Sequence, residues 1–292
     1  MKSFFLFFSF LFGSLLSAAP TVTVSILPQK YFVEQIAKDY VNVNVMVVPG
    51  ANQHTYEPKP AQMKELAKSE AYFSIGDGFE KAWLPKFKSS NPKMLMVDTV
   101  KGIEKIAMAE HHHEDEKANS KGNVHHDHEE ESLDPHVWLD PTLVKIQAKN
   151  IYEALIALYP TQTNEFTKNY EAFLVSIDAL DATVQKTLSD IKSRKFIVFH
   201  PSYGYFAKRY NLEQIAIEVS GKEPKPSELA TIIKEAKEEN AKVIFVAPQF
   251  SQKSAVSIAK QINGKVVPID PLAYAWSENL LSIAKTFQSE LK

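Results

Sequence analysis

The chain has 292 residues, 45% of them hydrophobic, which is enough for two ordinary domains with sizeable cores. Its formal net charge of −2 excludes a long-range pull toward nucleic acid or an anionic membrane, so no nucleic-acid partner is expected. It has no cysteine, which excludes disulfides and thiolate metal sites; any site for a soft metal must be built from histidine and carboxylates.

The first 19 residues read as a secretory signal. Lys2 supplies the positive start, Phe4 to Phe12 an apolar run extended by Leu15 and Leu16, and Ser17-Ala18-Ala19 the small residues for cleavage before Pro20. That run is shorter than the roughly 20 apolar residues a membrane span needs. No cysteine follows it to carry a lipid, so a free, non-lipidated periplasmic protein is expected.

From Thr21 onward strands alternate with helices. Thr21–Leu27 alternates and is β-branched, Gln29–Lys38 is helical in composition, Val43–Val48 is a second strand stopped by Pro49-Gly50, and Pro60–Ser69 is helical. Ala71–Ile75 and Lys93–Asp98 complete four strands. Residues 110–131 break the pattern: six histidines and eight acidic residues with almost nothing apolar cannot offset the entropy of ordering, and read as a disordered loop. Pro141–Leu158 is a helix. Phe166, Tyr170, Phe173, Ile177, Leu180, Val184, Leu188 and Ile191 then recur at alternating fours and threes, one apolar stripe on a helix spanning 161–193. Beyond Arg194 the alternation resumes. Strands are expected at Phe196–Phe199, Val243–Val246 and Val266–Ile269, and helices near Tyr203–Tyr210, Ser227–Glu239, Ser251–Ile262 and Ser277–Leu291.

The fold class that follows is α/β: two lobes, residues 20–160 and 194–292, each with a mostly parallel sheet flanked by helices, joined by one long rigid helix.

Histidine carries the chemistry. Of nine, six lie in the acidic loop: His111, His112, His113, His125, His126 and His128. The other three are His54 in Pro49-Gly-Ala-Asn-Gln-His-Thr-Tyr-Glu-Pro58, His136 in Leu133-Asp-Pro-His-Val-Trp-Leu-Asp-Pro141, and His200 directly after the strand Phe196–Phe199. Asp270 likewise follows Val266–Ile269. Open α/β sheets bind ligands beyond the carboxyl ends of their strands, and three of these four positions fall at or just past such an end. Taken singly, a histidine beside a proline is more often a turn residue or a satisfied core histidine. Taken together, three imidazoles and one carboxylate form a tetrahedral Zn²⁺ set, two from each lobe. Affinity for the ion should fall as pH drops toward the imidazole pKa of about 6.5. The loop histidines, interleaved with carboxylates, read as an auxiliary antenna of weak, alternative metal sites.

The segments Pro49–Pro60, Asp134–Pro141, His200–Tyr203 and Asp270–Leu272, with an acidic histidine loop before the second, closely resemble the zinc- and manganese-binding solute-binding proteins (cluster A-I) of bacterial ABC importers, above all the high-affinity zinc uptake members. Gly221-Lys-Glu-Pro224 also resembles a cleft motif of that family. The resemblance covers essentially all of the chain beyond the signal. It implies a monomer that captures Zn²⁺ between two lobes and delivers it to an ABC permease in the inner membrane. It implies His54, His136 and His200 as ligands, with Asp270 or water as the fourth, because Gln53 stands where some members carry a ligating Glu. His200 stands where manganese-preferring relatives tend to carry Glu, which favours zinc. Glu57, Asp140, Glu218 and Glu223 are candidates for holding the outer nitrogens of the ligands. Trp138, Tyr203 and Tyr205 are expected to wall the cleft.

Three other functions compete. A manganese or iron carrier would use the same fold. A zinc hydrolase would need an open coordination position and a general base, yet neither H-E-x-x-H nor G-x-S-x-G occurs, so no enzyme is expected. A passive metal buffer or adhesin-like protein would need no importer.

Overall fold

The computed structural model describes residues 19–108, 133–218, 225–239 and 241–291. The acidic histidine loop, the motif Gly221–Pro224 with Glu223, and all but the last residue of the signal lie outside the described residues.

The first half runs β1 (Thr21–Val24), α1 (Leu27–Ala37), β2 (Asn42–Val45), α2 (Pro60–Leu66), β3 (Ala71–Ser74), α3 (Gly78–Ser90) and β4 (Leu95–Asp98). These strands form a parallel sheet in the order β2-β1-β3-β4. After α4 (Pro141–Leu158) and α5 (Thr163–Thr187) the second half repeats the scheme: β5 (Lys195–Val198), α6 (Gly204–Arg209), β6 (Glu213–Ala216), α7 (Pro226–Glu238), β7 (Val243–Val246), α8 (Gln252–Gln261), β8 (Lys265–Pro268) and α9 (Trp276–Glu290). Its sheet is again parallel, in the order β6-β5-β7-β8. Two parallel four-stranded sheets flanked by helices are the α/β architecture expected from the alternation of elements.

The central strands are buried on both faces, which is why they read as unbroken apolar or β-branched runs. Val22 and Val24 of β1 are fully buried, and its Thr23 hydroxyl is satisfied by Ser69 Oγ at 2.6 Å. In β5, Phe196 and Val198 face the main core while Ile197 points to a smaller core with Ile215, Ile232, Ile244 and Ile258.

The strands expected at Thr21–Leu27 and Val43–Val48 end early, at Val24 and Val45, and three further elements differ more. Helix α3 was hidden by its interior Pro85, a residue that normally ends a helix. Strand β6 opens with the exposed Glu213 and lies at a sheet edge, so only Ile215 and Ala216 carry its apolar signal. Helix α5 has 25 residues, about 37 Å at 1.5 Å per residue, and stops at Thr187 rather than near 193. Leu188 and Ile191 continue the apolar stripe into the buried turn that follows, so the pattern outruns the helix.

Helix α5 is the spine. Its buried face (Phe166, Phe173, Ile177, Leu180, Val184) belongs to the same apolar core as α1, α4, α9 and one face of β5. At its middle, Phe32 of α1 meets Phe173 at 6.0 Å and Trp276 of α9 edge-on at 5.2 Å. Phe32 thus joins α1 both to α5 and, directly, to α9 of the second half.

Candidate metal centre

Each of the three isolated histidines sits in a connection at the carboxyl end of a strand or in a turn opening a helix. His54 lies in the long β2–α2 connection, His136 just before the single helical turn Val137–Leu139 that leads into α4, and His200 two residues beyond β5. Asp140 accepts the Thr142 N–H and hydroxyl, both at 2.7 Å, and so caps α4 while Pro141 occupies its first turn. That cap fixes the short segment Asp134–Asp140 that carries His136.

The three imidazoles converge. One nitrogen from each lies within 4.8 Å of the other two, and among the described residues no other group of three His, Asp or Glu side chains meets this condition. His136 is fully buried and His200 6% exposed, whereas the His54 side chain is 21% exposed.

The opposite ring nitrogens are each held by a carboxylate. His54 Nδ1 donates to Asp77 Oδ1 at 3.1 Å, His136 Nδ1 to Asp134 Oδ1 at 2.7 Å, and His200 Nδ1 to Glu218 Oε2 at 2.6 Å. A carboxylate can only accept, so it places the proton on Nδ1 and leaves a lone pair on Nε2. His54 Nε2 and His200 Nε2 then face each other at 3.0 Å. Two lone pairs at that separation repel unless a proton or a cation lies between them. All three carboxylates are buried, Asp77 and Asp134 almost completely.

Electrostatics favours neutral, metal-ready rings. Burial pushes His200 down to about 4, against the pull of Glu218. Burial, reinforced by His54, holds His136 well below the usual imidazole value. Both rings therefore stay unprotonated well below the pH of about 6.5 at which an ordinary imidazole protonates. Burial pushes Asp134 up to about 7, against the hydrogen bond from the His136 N–H. Burial also opposes ionisation of Asp77, but the hydrogen bond from His54 and the nearby rings outweigh it and lower its pKa. A divalent cation among the rings would stabilise all three carboxylates in their charged form.

Of the residues expected to hold the outer nitrogens, Glu218 does so. Glu57 is exposed and Asp140 is a helix cap. Two further partners, Asp77 and Asp134, escaped notice in the sequence. Asp134 was legible in principle, since an Asp two residues before a His can bond both that residue's backbone and its ring, and its Oδ1 accepts the His136 N–H at 2.8 Å as well. Asp77 comes from the turn between β3 and α3, 23 residues beyond His54, and only the fold brings it there.

Asp270 lies two residues past β8, but its Oδ1 accepts from Gln249 Nε2 and the Leu272 N–H, each at 2.9 Å, and its carboxylate is not part of the cluster of three rings. The aromatic walls also differ in part from expectation. Trp138 packs against His136 at 5.2 Å between ring centres. Tyr205 braces the site by donating to the Asp134 carbonyl at 3.0 Å. Tyr203 lies in the core against Phe206 and Phe287. Phe250, which the sequence did not single out, stacks on His200 at 4.2 Å.

Comparison with known proteins identifies the family. The family profile described as zinc-uptake complex component A, periplasmic, matches residues 22–290. The chain is 29% identical over 259 residues to the zinc-binding protein AdcA of Streptococcus pyogenes serotype M3, a match covering 86% of this chain and 50% of AdcA; it thus spans about half the length of that relative. It is 28% identical over 255 residues to the high-affinity zinc uptake system protein ZnuA of Bacillus subtilis strain 168, covering 86% of this chain and 78% of the relative. A crystal structure of ZnuA superposes with a TM-score of 0.85 at 42% identity, covering 94% of this chain and all of the other. The chain therefore belongs to the family of periplasmic zinc-uptake components, the ZnuA-type solute-binding proteins.

Proposed function

We propose that this protein captures Zn²⁺ outside the cytoplasm with His54, His136 and His200 and delivers it, as a monomer without a lipid anchor, to an ABC permease. One observation carries the proposal: three imidazole Nε2 atoms converge while each Nδ1 is held by its own buried carboxylate. Imidazole donors suit Zn²⁺, whereas oxygen shells suit Mg²⁺, Ca²⁺ and Mn²⁺. The carboxylates fix ring orientation and raise ligand basicity, as outer partners do at zinc sites generally. The zinc-binding names of AdcA and ZnuA support the same cargo. Membership of the zinc-uptake component family supports a binding protein over an enzyme. The histidines between residues 110 and 131 add weak, alternative sites that raise the local zinc concentration.

Competitive titration of the metal-free protein with a zinc chelator of known affinity tests this. One tight Zn²⁺ site is expected, weakened by orders of magnitude in His54→Ala, His136→Ala and His200→Ala. Deleting 110–131 should remove the weak sites and leave the tight one. Mn²⁺ displacing Zn²⁺ at comparable concentration would refute the zinc assignment, and loss of the tight site on deleting the loop would refute the division of labour.

A further inference from the structure

Gln53 is 1% exposed, and its side-chain amide points into the cluster. Its Nε2 lies 3.0 Å from His54 Nε2 and 3.3 Å from His136 Nε2. Its Oε1 is buried and finds no hydrogen-bond partner among the described residues. Donors bound about 2.0–2.1 Å from a tetrahedral zinc ion stand about 3.3 Å apart along each edge of the tetrahedron. The head of the Gln53 amide therefore stands at the spacing of a fourth vertex, beside a third edge that runs 3.0 Å from His54 Nε2 to His200 Nε2. Asp270, expected there with water as the alternative, has its Oδ1 bonded by Gln249 and the Leu272 N–H and is not among the three clustered side chains.

We infer that Gln53 is the fourth donor to the cation, through Oε1, after a half-turn of its amide. The terminal torsion of glutamine is broad and roughly two-fold, so the turn exchanges Oε1 and Nε2 without moving the rest of the side chain. Before the cation arrives, the amide N–H group faces the lone pairs of His54 and His136 and offsets their mutual repulsion. A cation reverses that preference, because it repels the amide N–H end and attracts the carbonyl end. The inner shell is then three imidazoles and one amide oxygen, all neutral. The ion's charge is balanced one bond further out by Asp77, Asp134 and Glu218. The donor set is closed, with no vertex left for solvent.

This assignment presupposes that the three imidazoles bind the cation, and the test separates the two claims. Full-length mature protein is loaded with Co²⁺ as a spectroscopic stand-in, and its visible bands are followed while azide is added. The zinc affinities of Gln53→Ala, Gln53→Glu and Asp270→Asn are measured alongside, with thermal melts to verify folding. Wild type and Asp270→Asn should keep tetrahedral Co²⁺ bands that azide does not alter. Gln53→Ala should bind zinc about tenfold more weakly or worse, and its Co²⁺ bands should shift with azide as an exchangeable water takes the vertex. Gln53→Glu, which keeps an oxygen donor at the same reach, should stay closed to azide and bind zinc at least as tightly as wild type. Bands that respond to azide in wild type, a Gln53→Ala affinity within threefold of wild type, or an azide-sensitive Asp270→Asn would each overturn the role of Gln53 and leave the imidazole site standing. Failure of wild-type protein to take up Co²⁺ in a tetrahedral site would overturn the cation-binding function itself.

Discussion

Replacing Glu218 by glutamine isolates the contribution of a single charge that never touches the ion. Glu218 sits two residues beyond β6 and accepts the His200 Nδ1 proton at 2.6 Å. Glutamine keeps the shape and can still accept that proton through its amide oxygen, so the ring stays in place and only the charge is lost. The carboxylate lies across the imidazole from the metal position, at a charge-to-ion distance of about 6 Å for zinc bonded at about 2.0 Å. At an effective dielectric constant of about 20, a charge of −1 and one of +2 at that distance attract by about 5 kcal/mol. That figure is an upper bound, because the substitution also removes the cost of keeping a charge in a buried position, and that relief opposes the lost attraction. Outer partners of metal ligands are worth about 10–100-fold in affinity, or about 1.4–2.7 kcal/mol. Glu218→Gln should therefore weaken zinc binding by about 10–100-fold, read by competition against a chelator of known affinity, while the melting temperature of the metal-free protein stays close to wild type. A loss below about threefold would show that ring orientation, not charge, is what Glu218 supplies. A loss equal to that of His200→Ala would show that the ring itself had moved.

Other consequences are equally open to measurement. A Cβ on Gly204 would stand 2.6 Å from Asp134 Oδ2, so Gly204→Ala should displace the carboxylate that holds His136 and weaken zinc binding about tenfold, seen as a smaller zinc-induced rise in melting temperature. Three ordinary imidazoles with pKa about 6.5 would lose roughly a thousandfold in affinity between pH 7.5 and 5.5. Because burial lowers the pKa of His136 and brings that of His200 to about 4, protons compete less here, and titrations across that range should show a loss well short of a thousandfold. Phe173→Ala removes the α5 ring that packs on Tyr31 and Phe32 of α1 and should cost about 3–5 kcal/mol of unfolding free energy by denaturant titration; a cost below about 1 kcal/mol would mean this ring is not part of the α1–α5 core.

The elements most legible in the sequence were those whose side chains are used in one way only. Helix α4 was bounded correctly at both ends because Asp140-Pro141 is a cap followed by a first-turn proline and Pro160 follows the last turn. The buried strands β5 and β7 were plain as apolar runs. The three site histidines were legible because they were the ones left once the acidic tract was set aside. What could not be read was whatever depends on pairing across the chain. Asp77 lies 23 residues from His54, Phe250 is 50 residues from His200, and neither has a local pattern that marks it. Asp270 shows a related ambiguity: its place after a strand is that of a ligand, and the same place lets its Oδ1 bond Leu272 N–H and Gln249, as an Asp opening a turn commonly does.

The core and the site together constrain how the ion arrives. The indole N–H of Trp138 donates to the Pro271 carbonyl at 2.7 Å, and that of Trp276 donates to the Trp138 carbonyl at 2.7 Å, both buried. These bonds tie the His136 segment to the turn after β8 and the start of α9, directly over the continuous core along α5. Swinging the halves widely apart would break both bonds and strand buried donors and acceptors, at a cost of about 1–3 kcal/mol for each group left unpaired, in addition to the apolar surface exposed. A route that leaves the core intact is cheaper. His54 rides on the connection between β2 and α2 and is the most exposed of the three rings, while His136 and His200 are fixed deep against Trp138 and Phe250. Of the three rings, His54 is therefore the one nearest solvent. The division between two buried rings and a more exposed third follows from where the sequence places them: His136 and His200 adjoin a helix cap and a central strand, and His54 lies in the connection between β2 and α2.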